Sequence, residues 1–388
     1  MRRRHAALAG TPLLVAGVAL AASNLRPAVT SLASVLGEVR AGLDASPAWV
    51  SVLSSVPTIC FGLAGLAAPW LGRKLGMARA VGLALAVLTV GLLVRVLDGP
   101  AVVLGGTFVA CGGIAVCNVL IPVVVKEAFP NRIGVVTGVY TATMATGAGL
   151  GAVLTPRVEP TWGWRLTLAA WALLAAAALI LWLGAARHRG EVVAPAEEGR
   201  TKLLGSGLAW IVTVFFGLQA LYAYTVLSWL PEVLVSVGID RPTAGLLLGL
   251  TQLSGIPISF IVPPLAVRAR NQSTWTVALT AGGFAGAAGL LLAPAAAPLL
   301  WVALLGCGMG VFPLILTIIS LRAKTPADTA GLSAMAQSAG YLIAAVGPFM
   351  FGVLHTPGRG WTVSLLMVLA LLAIQMVFGW LAGRDRTV

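Results

Sequence analysis

Arg26 is the residue of this 388-residue chain whose type and position together demand a task. It stands in the run Ser23-Asn24-Leu25-Arg26-Pro27, in the middle of the first apolar segment, and it is the only charge that cannot be assigned to the end of such a segment. A charge in hydrocarbon costs at least ~2.5–3.5 kcal/mol even on lenient insertion scales, so residues of this kind face a wet cavity and act there. No acid lies inside any apolar segment, so the partner of this cation is supplied from elsewhere, as an anion or an electron-rich neutral molecule. The planar fork of a guanidinium suits a small planar anion or a carboxylate better than an ammonium does. Ser23, Arg26 and Thr30 share a helical face at i, i+3 and i+7, with Asn24 beside them. Pro27 removes a backbone donor and predicts a kink that frees a carbonyl next to the charge. The competing assignment is a structural arginine bonded to carbonyls of neighbouring helices.

Further polar groups recur at helical spacing. Phe215, Gln219 and Tyr222 share one face of a later segment, Gln337 and Tyr341 are i, i+4 neighbours, and so are Tyr140 and Met144. Asn118 and Gln252 also lie at depth. Such groups either offer donors to a bound solute or tie helices together, at ~0.6 kcal/mol per contact on average. Catalysis is a poorer fit. Ser54, Ser55 and Cys117 have no histidine or acid at depth to activate them, so no enzyme is expected. The histidines (His5, His188, His355) fall in tails or loops, and Cys60, Cys111, Cys117 and Cys307 sit in apolar segments at spacings that match no metal site. Neither cofactor, metal nor disulfide is expected. A buried carboxylate relay is not visible either, because Glu38 and Glu232 stand at outer ends.

The elements that must position these residues follow from composition. At 59% hydrophobic and 10% charged the chain departs far from soluble domains, which carry about 25% charged residues. Apolar runs long enough to cross a bilayer recur throughout, and their lack of alternation excludes a barrel. Spans are expected near 10–36, 47–70, 80–97, 101–125, 133–155, 164–186, 203–230, 242–267, 274–293, 298–321, 329–354 and 361–382. The net charge of +13 invites a nucleic-acid reading, which its distribution opposes. Of 25 Lys and Arg, eighteen fall on the side of both termini and six on the other, Arg95 among them, while the acids divide evenly. Counting Lys and Arg places both termini in the cytoplasm. The start, Met1-Arg2-Arg3-Arg4 with a later Ala19-Leu20-Ala21, imitates a signal peptide, yet the apolar run continues past that point. Trp162, Trp164, Trp229 and Trp361 lie near span ends as expected interfacial anchors. The 46 glycines would let helices approach closely.

Residues 187–202 form the least apolar stretch and read as a solvated linker between a six-helix bundle at 1–186 and another at 203–388. The halves match each other. A shift of 196 lays Cys111-Gly112 on Cys307-Gly308, Lys126 on Arg322 and Pro130 on Pro326, with Gly134 and Gly331 soon after. A shift of 194 lays Glu38-Val39 on Glu232-Val233, and carries Arg26 to Ala220 or Leu221 with an error of about one residue. The second half therefore offers neutral groups where the first offers its cation.

Parallel six-span halves resemble the major facilitator superfamily. The run Gly65-Leu66-Ala67-Ala68-Pro69-Trp70-Leu71-Gly72-Arg73-Lys74 is similar to that superfamily's G-x-x-x-D-R-x-G-R-K/R loop. It keeps Gly65, Gly72, Arg73 and Lys74, candidates for a conformational role, but Pro69 and Trp70 replace the Asp and Arg of the loop's charge latch. Several segments resemble the cyanate/nitroimidazole transporter family. They are Asn24-Leu25-Arg26-Pro27, Phe61-Gly62-Leu63, Asn118-Val119-Leu120-Ile121-Pro122, Thr137-Gly138-Val139-Tyr140, Phe216-Gly217-Leu218-Gln219, Trp229-Leu230-Pro231, Met335-Ala336-Gln337-Ser338-Ala339-Gly340-Tyr341 and Gly347-Pro348. The resemblance implies an all-α membrane protein of twelve helices in two pseudo-symmetric bundles, with spans 1, 4, 7 and 10 lining a central cavity. It also implies a monomeric secondary transporter in the cell membrane, moving a small anionic or polar organic solute by alternating access, with protons as a candidate co-substrate. The expected solute-binding set is Arg26, Asn24, Thr30, Asn118, Tyr140, Gln219, Tyr222, Gln337 and Tyr341. An efflux pump for nitroaromatic compounds is the alternative, and an intramembrane enzyme or a channel is disfavoured.

Overall fold

The computed structural model describes residues 11–129, 132–186, 203–269, 271–324, 326–356 and 360–388. The expected linker at 187–202 lies outside the described residues, as does Pro130. Helices begin where the sequence supplies a start. α1 (Pro12–Ala22) is capped by Thr11, whose Oγ1 accepts from the Leu14 amide at 3.3 Å. Proline opens α2 (Pro27–Ser34), α4 (Pro47–Leu75) and α6 (Pro100–Ala128), at positions where a missing N–H costs nothing. Between them lie α3 (Leu36–Gly42) and α5 (Met77–Val94). α7 (Ile133–Ala186) follows, then α8 (Gly207–Ser236), whose amide at Ala209 is capped by Ser206, and α9 (Arg241–Arg268), capped by Asp240. The chain closes with α10 (Ser273–Leu292), α11 (Pro298–Met309), α12 (Val311–Arg322), α13 (Pro326–Val353) and α14 (Thr362–Ala382).

Three breaks convert these helices into spans. α1 and α2 together make one 23-residue span interrupted at Ser23–Arg26. α7 holds 54 residues, roughly 80 Å at 1.5 Å each, which is far more than a hydrocarbon core of about 30 Å. It breaks at Gly163, whose φ of 69° only glycine adopts without strain, and so supplies the fifth and sixth spans. α11 and α12 form the tenth, interrupted at Gly310. Taking α7 as two segments and each interrupted pair as one, and leaving out the short α3, the described residues hold twelve long helical segments, the expected number of spans.

The helices gather into two compact units. One holds the described residues of Met1–Val35 and Leu63–Pro195, the other those of Leu36–Gly62 and Ala196–Val388. Residues 36–62 thus group with the second half of the chain. Pairing repeats within the units. In the first, α1 and α2 pack on α7, and α5 packs on both α6 and α7. In the second, α8 packs on α13, and α10 packs on both α11 and α14. Even the details correspond: a Cβ at Gly151 would meet Thr30 Oγ1 at 2.5 Å, and one at Gly347 would meet Thr225 Oγ1 at 2.7 Å. The two threonines are 195 residues apart and the two glycines 196, which is the spacing of the sequence repeat.

Candidate functional site

Arg26 lies in the break between α1 and α2, as the residue preceding Pro27 and the N-cap of α2. The break forms because the Pro27 ring cannot follow a continuous helix, while turn bonds from Asn24 N to Ala21 O and from Leu25 N to Ala22 O, each 3.1 Å, close the chain around it. Its place against α7 depends on small residues. A Cβ at Gly147 would strike Ser23 O and come within 3.2 Å of Pro27 Cγ, and one at Gly151 would lie 3.0 Å from Pro27 Cα. Glycine at both positions lets the broken segment lie directly on the neighbouring backbone. Arg26 itself is half-buried, and its carbonyl starts α2 by accepting from Val29 N and Thr30 N.

The neighbours chosen with Arg26 are committed to protein partners. Asn24 is buried and donates from Nδ2 to Leu20 O at 2.7 Å and Leu174 O at 3.3 Å. Thr30 donates to Ala148 O at 2.9 Å. One expected pair does meet: Tyr140 donates from its hydroxyl to Asn118 Oδ1 at 3.3 Å, joining α6 to α7.

In the second unit, the shared face of Phe215, Gln219 and Tyr222 forms as expected but points into the packed helices. Gln219 is fully buried, donating to Gly308 O at 3.2 Å and accepting from Gln375 Nε2 at 2.6 Å. Tyr222 donates to Leu305 O at 2.7 Å, with its ring against Gly283 and Gly308. These are interhelical ties. Gln337 donates to Ser333 Oγ at 3.0 Å, and Gln252 to Met309 Sδ at 3.2 Å. Tyr341 lies at the centre of an aromatic cluster, with ring centroids 5.3 Å from Phe61, 5.1 Å from Phe216 and 6.1 Å from Tyr224, while Phe312 adjoins Phe216 at 5.8 Å. Phe61, Phe216 and Tyr224 are buried, and Phe312 and Tyr341 are half-buried.

At the end of α4, Arg73 and Lys74 are exposed, and Lys74 Nζ stands 4.9 Å over the Trp70 ring. Gly72 is buried against Met77, whereas the surroundings of Gly65 lie outside the described residues. Two of the expected interfacial tryptophans are instead interior. Trp229 donates to Pro348 O and stacks near Phe351 and Trp361, and Trp164 is buried, because helices of the same unit cover them before lipid can. Trp162 is exposed.

Sequence reasoning missed two arrangements. Glu38 and Glu232, noticed as repeat partners, both bind Arg241, at 2.6 Å to Nε and 2.7 Å to Nη1, and Glu232 also accepts from the Gly37 amide at 3.2 Å. The 194-residue match was the available signal. Arg95, assigned to the outer end of the span at 80–97, is 1% exposed and donates to Ala28 O at 2.7 Å. Only the apolar Val96-Leu97 after it hinted that the chain had not reached water. Outside the spans, burial against Trp361 and then the charge of Arg40 hold the His355 pKa below the usual imidazole value. Among the described residues no three His, Cys, Asp or Glu gather as metal ligands.

Residues 13–348 match the family described as Major Facilitator Superfamily. The chain is 36% identical to an uncharacterized transporter, YycB, of Bacillus subtilis over 96% of this chain and 94% of that one. It is 35% identical to the 2-nitroimidazole transporter of Escherichia coli, over 97% and 96% of the two chains. It is 29% identical to the cyanate transport protein CynX of the same organism, over 92% and 94%. The crystal structure of a D-xylose-proton symporter superposes with a TM-score of 0.76, covering 96% of each chain at 15% identity, a likeness of fold.

Proposed function

Because the chain belongs to the Major Facilitator Superfamily and is a multi-pass membrane transporter of small solutes, we propose that it is a secondary carrier moving a small anionic or polar organic solute by alternating access, with Arg26 as the charge that receives it. The observation that carries this reading is a half-buried guanidinium at a helix break inside a membrane span. Its fork offers parallel donors to a carboxylate, a nitro group or a linear anion. The positive end of the α2 dipole adds to the attraction. Relatives named for cyanate and 2-nitroimidazole transport share the feature of a small, electron-rich cargo. Asn24 and Thr30 then hold the broken segment in place, and Asn118 with Tyr140 remain candidates for contact with solute.

A second reading keeps the fold and changes the cargo and direction: export of nitroaromatic compounds. The cluster of Phe61, Phe216, Tyr224, Phe312 and Tyr341 favours it, because aromatic faces receive a conjugated ring.

Counterflow into proteoliposomes tests the reading. Arg26→Ala is expected to abolish exchange of the bound solute while the protein still inserts and stays monodisperse, and Arg26→Lys to retain part of it. Normal transport by Arg26→Ala would end the assignment. Flux that is independent of pH and moves no protons would exclude proton–anion symport and leave exchange or uniport.

A further inference from the structure

A cation at the end of a membrane helix ordinarily reaches outward, laying its stem along apolar surface and its head in water. Arg95, the residue after α5, turns inward instead. It is 1% exposed, and Nη1 donates to Ala28 O at 2.7 Å. Its Nε and Nη2 are buried without a hydrogen-bond partner among the described residues, and no described carboxylate pairs with it.

This placement is built into the backbone. A Cβ on Gly106 would overlap Arg95 itself, and Cβ atoms on Gly91 and Gly113 would overlap the backbone of Ala110, Ala84 and Leu88. α5 and α6 therefore lie in backbone contact along this end, with the Arg95 backbone set against Gly106. The carbonyl it holds belongs to the first turn of α2, two residues past Arg26. One turn further along α2, Ser31 Oγ is also buried without a partner among the described residues.

A brace alone does not need a charge. A neutral amide could tie α5 to Ala28 O, as Asn24 ties its own turn to Leu174 O. Burying a guanidinium with two donor edges unmet is costly unless a countercharge arrives. We propose that Arg95 is a positioning and specificity residue for the Arg26 site: it pins the first turn of α2 and holds a second positive charge there, so that the site prefers an anionic solute over an uncharged one of the same shape. The inference rests on the reading of Arg26 as the solute-binding charge.

The experiment compares 4-nitrobenzoate with 4-nitrobenzamide, which share an outline and differ in charge, as competitors of counterflow by the full chain. Wild type is expected to favour the anion, and Arg26→Gln to lose it. Arg95→Gln, which keeps a donor and removes the charge, is expected to reduce the preference about tenfold, the order expected for loss of one nearby charge at an intermediate effective dielectric. Its inhibition by the amide should stay the same. Arg95→Lys should keep the preference, a rescue that a purely structural role does not give, and it carries the test if the Gln variant fails to fold. Loss of preference in Arg26→Gln with full preference in Arg95→Gln, or loss of it in Arg95→Lys, overturns this proposal alone. A wild type indifferent to charge, or an unaffected Arg26→Gln, overturns the Arg26 reading with it.

Discussion

Arg26 and Tyr222 show how differently two polar residues chosen by the same helical spacing can be used. Arg26 stands at a break, half-buried, beside Asn24 and Thr30, whose side chains donate to protein carbonyls. Tyr222 is 1% exposed and spends its hydroxyl on Leu305 O, between glycines that admit its ring. The physical consequence is separable by mutation. Tyr222→Phe removes one buried hydrogen bond, so it should cost about 1 kcal/mol of stability. We expect a lower melting temperature and unchanged discrimination between anionic and uncharged solutes. A changed discrimination would return Tyr222 to the binding set. Gln219 belongs with Tyr222 on this ground, tied to Gly308 O and Gln375 inside its own unit.

Between elements, small residues decide which helices can carry the break. Gly147 and Gly151 on α7 accept the Ser23–Pro27 turn at backbone distance, and no larger residue fits either position. Gly151→Val is expected to push α2 off α7 and shift the chain from a monodisperse to an aggregated profile in size-exclusion chromatography. Gly105→Ala, where nothing lies within 4 Å, is the matched control and should be neutral. A well-behaved Gly151→Val protein would mean that the break tolerates a displaced α7. The ion pairs of Arg241 with Glu38 and Glu232 join α3, α8 and α9 by another route. They are only partly buried, so their contribution to stability is modest.

For the whole molecule, the distribution of basic residues predicts an orientation in the bilayer. Lys and Arg concentrate on the side of the termini, for which the positive-inside rule predicts the cytoplasm. On that expectation the loop at Asp98, between α5 and α6, would face outward, and the loop at Lys324, between α12 and α13, inward. In intact cells an impermeant maleimide should label Asp98→Cys and not Lys324→Cys, and the reverse pattern would invert the assignment. The same loops show what sequence could and could not reveal. Apolar length identified each span, including a start at 164 that falls at the Gly163 break. Arg95, three residues before Asp98, read as the outer end of its span because an apolar helix has no period that marks where tertiary cover ends.

The amino-acid sequence by itself determined the span number, the internal repeat, the asymmetric basic loops and the position of Arg26 within a span, because these depend on composition and order along one chain. Tertiary structure decided which polar groups are spent. In a bundle whose helices are apolar on every side, periodicity defines a face but not its neighbour. Only packing shows that Tyr222 meets a carbonyl, that Glu38 and Glu232 meet one guanidinium, and that Arg95 turns back toward α2.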